Sequence, residues 1–515
     1  MTAPQPLQPL EGRTRLIATV ALSFATFMNV LDTTIANVSL PAIAGDMGVS
    51  PNQGTWVITS FAVANAISVP LTGWLTQRFG QVRLFVASIL LFTLASFLCG
   101  LSTSLPMLIA FRVLQGFVAG PMIPLSQALL MSSYPKEKVG IALAAWSMTT
   151  LVAPVMGPIL GGWISDNMSW PWIFYVNVPA GLIAAWVVWG IFKTRETATR
   201  KLPIDAVGLV LLIVWVSALQ LTLDKGKELD WFNSMEIVAL AATAFMGFCF
   251  FVVWELKEPH PVVDLTLFKL RNFTVSTIAI SLGYGLFFGT VVLMPLWLQQ
   301  YMGYTSTWAG LATAPVGILA IVLSPIVGKN LHKFDARYIA SFAFVVFALA
   351  SWMRSHFTIQ ADFWSFFAPQ FVQGAAMATF FIPLVSISLS QMKPERIPSA
   401  SGVSSFVRIT FGAMGASVFT TLWENRASLH HARLAENISA LQPVAANTLT
   451  QLQASGMSEQ QSLGLIERLL SQQAFTLAAD ELFWLSCMIF LVLTATVWFA
   501  HPVRGGKMAA GGGDH

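Results

Sequence analysis

Charge and thiols are both scarce in this chain. Only 10% of its 515 residues are Asp, Glu, Lys or Arg, against about a quarter in soluble domains. With 28 basic and 24 acidic side chains, a water-facing surface of ordinary size cannot be assembled, and the chain is read as an integral membrane protein. The three cysteines, Cys99, Cys249 and Cys487, each lie inside a long apolar run rather than in a paired spacing. That pattern predicts neither disulfides nor a metal site. The patterns G-x-x-x-x-G-K-[ST] and G-x-S-x-G are both missing, so ATP binding at a P-loop and serine-hydrolase chemistry are not expected. Seven histidines without grouping argue against a polytopic enzyme, and the pair His430-His431 near Glu424 reads as solvated surface. A net charge of +4 is spread through short loops with no basic patch, which excludes a nucleic-acid partner.

What the chain has in abundance is apolar length. Apolar residues make up 55% of the sequence and the mean hydropathy is +0.68. A span needs about 20 apolar residues, so composition permits up to about fourteen. Runs bounded by charged or turn residues fall at 16–40, 54–75, 84–104, 106–132, 140–164, 172–192, 204–223, 235–256, 273–297, 306–328, 338–357, 364–391, 398–423 and 480–500. Within 84–132 the only break is Leu101-Ser102-Thr103-Ser104. The N-terminus, Met1 to Glu11, lacks a cleavable signal pattern, so the first span is expected to be retained.

The positive-inside rule tests the count independently, because one missed helix would swap every later loop. With the N-terminus inside, the cytoplasmic loops hold most of the basic residues, from Arg13 and Arg15 through Arg78, Lys136, Lys193, Lys257, Lys329 and Lys393 to Arg504 and Lys507. The outside loops hold Lys225, Lys227, Arg354, Arg426, Arg433 and Arg468, which leaves Arg112 and Arg408 inside spans. Fourteen spans with both termini cytoplasmic satisfy this bias. Residues 424–479 form a long outside segment with amphipathic helical runs, read either as a solvated insertion or as a partner-docking surface. The Gly-rich tail, 504–515, reads as disordered.

The chain also repeats itself. Arg112-Val113-Leu114-Gln115-Gly116 with Pro124-Leu125 has a counterpart in Gln370-Phe371-Val372-Gln373-Gly374 with Pro383-Leu384, and Thr55-Trp56 matches Thr307-Trp308. The offset stays between 252 and 259 residues. Residues 1–199 and 272–503 are therefore expected to form two parallel six-helix halves, with 200–271 as an inserted central pair. Parallel halves with a site between them near the midplane are a transporter architecture.

Charges at membrane depth are costly enough that each one needs a reason. Asp32 lies about 12 Å inside the first span, and Arg112 about 9 Å from the same face in the fourth. Burial favours the neutral acid and a nearby guanidinium favours the carboxylate, so such a pair can act as a proton switch or as a permanent structural ion pair. Asn29 shares the face of Asp32, and Gln115 that of Arg112. These amides, and Gln373 in the repeat, are candidates to bond the pair or the substrate, or to bridge helices. Arg408 falls mid-span in the thirteenth run with no acid at matching depth; it either faces the cavity, favouring anionic substrates, or reaches the cytoplasmic interface. Phe27, Met28, Phe61, Phe111, Met122, Phe287 and Met294 are candidates to line an adaptable apolar cavity. In the fifth run, Ala153, Gly157 and Gly161 recur every fourth residue, with Pro154, Pro158 and Gly162 among them. The small face suits a tight helix contact, static or one on which two bodies rock, and the prolines suit a bend.

These residues resemble the major facilitator superfamily, in its fourteen-span drug:proton antiporter branch of the EmrB/QacA type. The resemblance rests on Leu31-Asp32-Thr33-Thr34 through Leu40-Pro41, on Arg112 with Gln115-Gly116, and on Gly157-Pro158 with Gly161-Gly162, and it extends over nearly the whole chain. Two departures stand out: Gln77 where the loop motif usually has an acid, and Pro171 where an arginine is common. The resemblance implies the major facilitator fold and a secondary active transporter of the bacterial inner membrane. It further implies export of lipophilic toxic compounds in exchange for protons, with H+ as coupling ion, no other cofactor, and Asp32 and Arg112 in proton coupling. It also implies a periplasmic adaptor and a TolC-type outer-membrane channel as partners, for which 424–479 faces the right side. The alternatives are a facilitator, or an exporter of one metabolite, lipid or siderophore.

Overall fold

The computed structural model describes residues 9–49, 51–200, 203–436, 438 and 443–503; the expected disordered tail, 504–515, lies outside the described residues. Those residues form helices and no strand. The physical reason is the membrane pattern itself: in an apolar solvent every backbone N–H and C=O must be satisfied within the segment, and a helix does this locally.

The first bundle contains α1 (Gly12–Val38), α2 (Trp56–Ser68), α3 (Thr72–Phe79), α4 (Gln81–Gly100), α5 (Leu105–Ala119), α6 (Met122–Ser133), α7 (Val139–Asn167) and α8 (Asn177–Phe192). The expected central pair is α9 (Ala206–Lys225) and α10 (Met235–Lys257). A second bundle follows with α11 (Arg271–Gln300), α12 (Ser306–Thr313), α13 (Val316–Asn330), α14 (Ala336–Arg354), α15 (Phe363–Leu389), α16 (Ile397–Ala435), α17 (Pro443–Ala454) and α18 (Glu459–Thr496). Twelve stretches among the described residues are long and apolar enough to cross a bilayer, and α2 with α3 makes a further one, bent by 62° at the break. The expected fifth span lies within α7, a helix of 29 residues. The Leu101 to Ser104 break separates α4 from α5.

Helix starts follow local chemistry. Asp205 accepts the Gly208 amide at 2.9 Å, Asp362 accepts that of Ser365 at 2.9 Å, and Ser458 with Gln461 forms a capping box. These side chains satisfy amides that have no partner in the first helical turn. Gly80, at φ +90°, makes the sharp corner between α3 and α4.

In the first bundle the core is formed by residues such as Leu22, Phe85, Phe92, Trp146 and Val188. A larger core built on Phe273, Trp297, Phe344, Phe380 and Phe490 fills the second bundle and continues across the interface to Leu71, Met131 and Leu143. Large apolar side chains also point outward, Trp186 at 78% exposure among them, with Phe245 and Val492 alike. Such a surface is stable against lipid tails and not against water.

Three structural findings revise the sequence reading. The small face of α7 meets α1 within the first bundle: a Cβ on Gly157 would stand 2.0 Å from Thr34 Oγ1, and one on Gly161 2.9 Å from the Ile35 carbonyl. It is therefore not a rocking contact between bundles. Ala153 is buried, its carbonyl accepts from Thr34 Oγ1 at 3.5 Å, and Gly162 is half-buried. The side chains of Pro154 and Pro158 lie outside the described residues. Second, 424–479 is not a separate insertion. Its ends, up to Ala435 and from Glu459, continue α16 and α18, of 39 and 38 residues, with α17 between them; at 1.5 Å per residue these two helices are each about 58 Å long. Third, Arg354 is not a solvated loop residue but is buried at the end of α14.

The bundles are in close contact at their lysine- and arginine-rich end. A Cβ on Gly140 of α7 would stand 2.2 Å from the Gly328 carbonyl oxygen of α13, and one on Gly73 of α3 2.6 Å from Ser399 Cβ of α16. No side chain other than hydrogen fits at either glycine while this seal is closed.

Candidate functional site

Asp32 of α1 is met by side chains from α5 and α8, and the network extends through them to α2 and α4. Arg112 Nη1 of α5 donates to Asp32 Oδ2 at 2.6 Å. The other carboxylate oxygen, Oδ1, accepts from Gln115 Nε2 and from Asn177 Nδ2 of α8, each at 3.0 Å. Arg112 is held by two further acceptors, the Val57 carbonyl of α2 through Nε at 3.0 Å and Gln115 Oε1 through Nη1 at 2.8 Å. Its guanidinium carbon lies 4.2 Å from the centroid of the Phe61 ring and 5.6 Å from that of Phe174. Asn177 reaches on to Ser96 Oγ at 3.0 Å, and Ser96 donates to the Phe174 carbonyl at 2.9 Å.

The arrangement is sealed. Asp32 and Gln115 are 0% exposed, Arg112 1% and Asn177 2%. A buried pair of this kind is held by its geometry and its extra hydrogen bonds, and taking away one charge strands the other. Chemically, one proton added to Asp32 would remove the charge that attracts Arg112, leaving the guanidinium to the Val57 carbonyl and Gln115 Oε1. The small face of α7 presses against Thr34 and Ile35, two and three residues after Asp32 on α1.

Of the residues singled out from sequence, Asp32, Arg112, Gln115 and Phe61 come together here. Asn29 does not join them: its Nδ2 donates to the Ala119 carbonyl at 3.0 Å and ties α1 to α5. Met28 and Met122 are packed in the first core and Met294 in the second. Phe27 is half-buried and stacks on Phe24, while Phe111 packs near Ile35 and Leu108. Gln373 accepts from Arg354 Nη2, which also donates to Gln370 Oε1 at 3.0 Å. Phe287 stands beside Tyr284 and Phe347 in the second bundle.

Sequence reasoning missed Asn177 and Arg354. Asn177 carries a faint signal, a lone amide at the start of an apolar run. Arg354 carries a clearer one, since Gln370 and Gln373 stand three apart on the next span, one polar face with nothing else to bond.

Arg408 of α16 lies where the bundles meet. It shares a narrow cavity with Gln127 of α6, Trp146 of α7, Ile280 of α11, and Ser388, Ser401 and Ser405. Its guanidinium carbon stands 5.4 Å from the Trp146 centroid, 5.5 Å from that of Tyr284 and 5.4 Å from that of Phe381.

Comparison with known proteins gives the same fold and a close set of relatives. The chain is 52% identical over 512 residues to the multidrug export protein EmrB of Escherichia coli strain K12, covering 99% of this chain and 100% of that one. It is 51% identical to the fatty acid resistance protein FarB of Neisseria gonorrhoeae over 98% of this chain and 99% of that one. Among solved structures, the proton:xylose symporter XylE bound to 6-bromo-6-deoxy-D-glucose superposes with a TM-score of 0.61 at 12% identity, over 96% of this chain and 98% of that chain. That likeness speaks to the fold alone. The description Major Facilitator Superfamily matches residues 22–416, and the chain belongs to that superfamily: it is a multi-pass membrane transporter and not an enzyme.

Proposed function

We propose that this protein is a proton-driven multidrug efflux antiporter of the bacterial inner membrane, exporting lipophilic toxic compounds by alternating access. Efflux is the activity named for its relatives at 52% identity. The observation that supports proton coupling is the sealed carboxylate of Asp32, held by a guanidinium and two amides from two other helices of the bundle, α5 and α8.

In this reading the basic end is cytoplasmic, residues 1–199 rock against 272–503, and 200–271 follow as an inserted pair. The Gly140–Gly328 and Gly73–Ser399 contacts close the cytoplasmic side. With that side open, Asp32 is unprotonated and drug binds; with it closed, a proton taken up at Asp32 releases Arg112 and displaces the drug. The extensions of α16 and α18 then stand in the periplasm, clamped by Arg426–Glu481 at 2.6 Å and His431–Glu467 at 2.8 Å. They are offered as the docking element for a periplasmic adaptor and a TolC-type outer-membrane channel. Removing residues 431–467 should leave transport in inside-out vesicles intact and abolish adaptor capture in a pull-down; unchanged capture refutes the docking role.

The central test is proton release from acid-loaded inside-out vesicles on adding a lipophilic dye, with Asp32→Asn beside the wild type. Release in the wild type, lost in a variant that still binds dye, is the expected result. Equal release in both moves coupling to another residue. No release in either replaces the antiporter with a facilitator.

A further inference from the structure

Three arginines are buried among the described residues, and they differ in what faces them. Arg112 has a carboxylate. Arg354 has two amide oxygens. Arg408, 6% exposed, makes no ion pair among the described residues, and its Nε has no hydrogen-bond partner. What surrounds it is three aromatic faces and a row of hydroxyls. Two of those hydroxyls, Ser388 Oγ and Ser401 Oγ, are likewise buried without a partner.

A desolvated guanidinium is costly. The rings of Trp146, Tyr284 and Phe381 recover part of that cost by turning their negative faces to it, but rings carry no net charge, so the site remains cationic. Buried polar groups are hydrogen-bonded as a rule, and each orphan needs an explanation. Here three orphans, one guanidinium nitrogen and two hydroxyls, border the same cavity at the junction of the bundles. The position also matters. Ser401 adjoins Gly402, whose added Cβ would stand 3.0 Å from the Val69 carbonyl across the interface, so the cavity sits just inside the closed seal. Its free space is close to that of a single water. That leaves room for about one oxygen-sized group, and a whole drug does not fit.

We infer that Arg408, with Ser388 and Ser401, forms a receptor for the anionic head group of the transported compound, a carboxylate or a similarly compact oxyanion. The inference rests on the efflux reading and narrows its substrate class. The head group neutralises Arg408 and accepts from the two hydroxyls. The apolar remainder lies along Trp146, Ile280 and Val385 and leaves the cavity between the bundles. The same residues select against the opposite charge: a cationic head would meet an uncompensated guanidinium, so the site discriminates by repulsion as well as attraction.

The test uses three probes of one shape, 1-naphthylacetate, neutral 1-naphthylacetamide and cationic 1-(naphthyl)ethylammonium, titrated by calorimetry into the purified full chain in nanodiscs. The expected order is acid, then amide, then ammonium, with the acid bound at least about tenfold tighter than the amide, the size of effect one net charge-assisted hydrogen bond supplies. Arg408→Gln should bring the acid down to the amide's affinity and leave the amide unchanged, whereas Arg408→Lys should keep part of the preference. The double variant Ser388→Ala with Ser401→Ala, which leaves the buried charge in place, should weaken the acid alone and serves if Arg408→Gln does not fold. Equal affinity for acid and amide, an unchanged preference in Arg408→Gln, or no measurable binding of the acid overturns the assignment. Proton release from vesicles separates it from the efflux reading. If acid and amide drive release alike, efflux stands and the anion receptor falls. If the acid binds selectively and neither probe drives release, the receptor stands and proton-coupled efflux falls.

Discussion

The two bundles treat buried positive charge in opposite ways. In the first, Arg112 is matched by Asp32 and enclosed by Gln115, Asn177 and the Val57 carbonyl, so the network is neutral and satisfied. In the second, the position equivalent to Arg112 is Gln370. The guanidinium comes instead from Arg354 at the end of the preceding span, where it meets two amides and, at 5.9 Å, the ring of Phe483. Arg408, whose Nε like that of Arg354 has no hydrogen-bond partner among the described residues, lacks even the amides. Halves that repeat in sequence have thus diverged in electrostatics. In the proposed antiporter, the neutral pair is the place where a proton is exchanged. An unmatched guanidinium stays charged at any physiological pH, so it can only offer a fixed positive field.

The largest effect that can break this contrast lies at Asp32. Asp32→Ala should abolish substrate-driven proton release and destabilise the protein by about 3–5 kcal/mol, because Arg112 is left buried without its partner. Thermal unfolding in detergent measures the loss, and the double change Asp32→Leu with Arg112→Met should recover most of it. A double variant as unstable as the single one means that the pair is held by something other than its charges.

Next comes the seal between the bundles. Gly140→Leu forces a side chain against the Gly328 carbonyl, so the basic end cannot close. Transport should fall more than about tenfold, since even a small misfit at a closing step is expensive. Thiol labelling of a Ser401→Cys reporter from that end should rise. Unaltered labelling would show that the contact is not a gate.

The sharpest comparison of the bundles is a sign test of intermediate size. Arg354→Met combined with Gln370→Leu and Gln373→Leu removes a charge that has no acid together with its acceptors, so it should be neutral or stabilising by up to about 1–4 kcal/mol, as apolar replacement of a whole buried polar cluster often is. Arg112→Met, which strands Asp32, should destabilise by about 3–5 kcal/mol. Losses of equal sign and size at both positions would end the distinction. Gln373→Ala, which keeps the charge of Arg354 and removes an acceptor, should cost about 1–3 kcal/mol.

The smallest effect belongs to the rim. Lys227 and Glu424 pair at 2.6 Å with side chains 46% and 43% exposed, and Lys227→Ala should change stability by less than about 1 kcal/mol. A larger loss would mean that the central pair is anchored to α16 by this contact rather than by Trp231 Nε1 on Thr421 Oγ1 at 3.0 Å and Trp215 against Phe406.

Much of this molecule was legible before any coordinates. Hydropathy located the helices, the Leu101 to Ser104 break separated two of them, and depth along the spans brought Asp32 and Arg112 to the same level. Three particulars were not legible. Arg354 ends an apolar run, and a run is cut at its first charge, so the residue read as loop although its side chain folds back onto Gln370 and Gln373. Asn177 belongs to a helix whose neighbours cannot be inferred from its own pattern. The spacing of Ala153, Gly157 and Gly161 announces a close contact without saying with what, and the contact is α1 rather than the other bundle. The methionines tell the same story, since Met28, Met122 and Met294 are soft apolar side chains equally suited to a cavity and to the cores in which they sit.

Periodicity, span length and the depth of a charge are properties along the chain, because a helix advances by a constant rise and a bilayer has a constant thickness. From them alone follow the all-helical membrane class, the repeat, and a carboxylate and a guanidinium at one level. Which face meets which is decided across the chain, by packing among many apolar surfaces of similar affinity for one another. Only there does Asp32 acquire three donors while Arg408 acquires three aromatic rings and no acid.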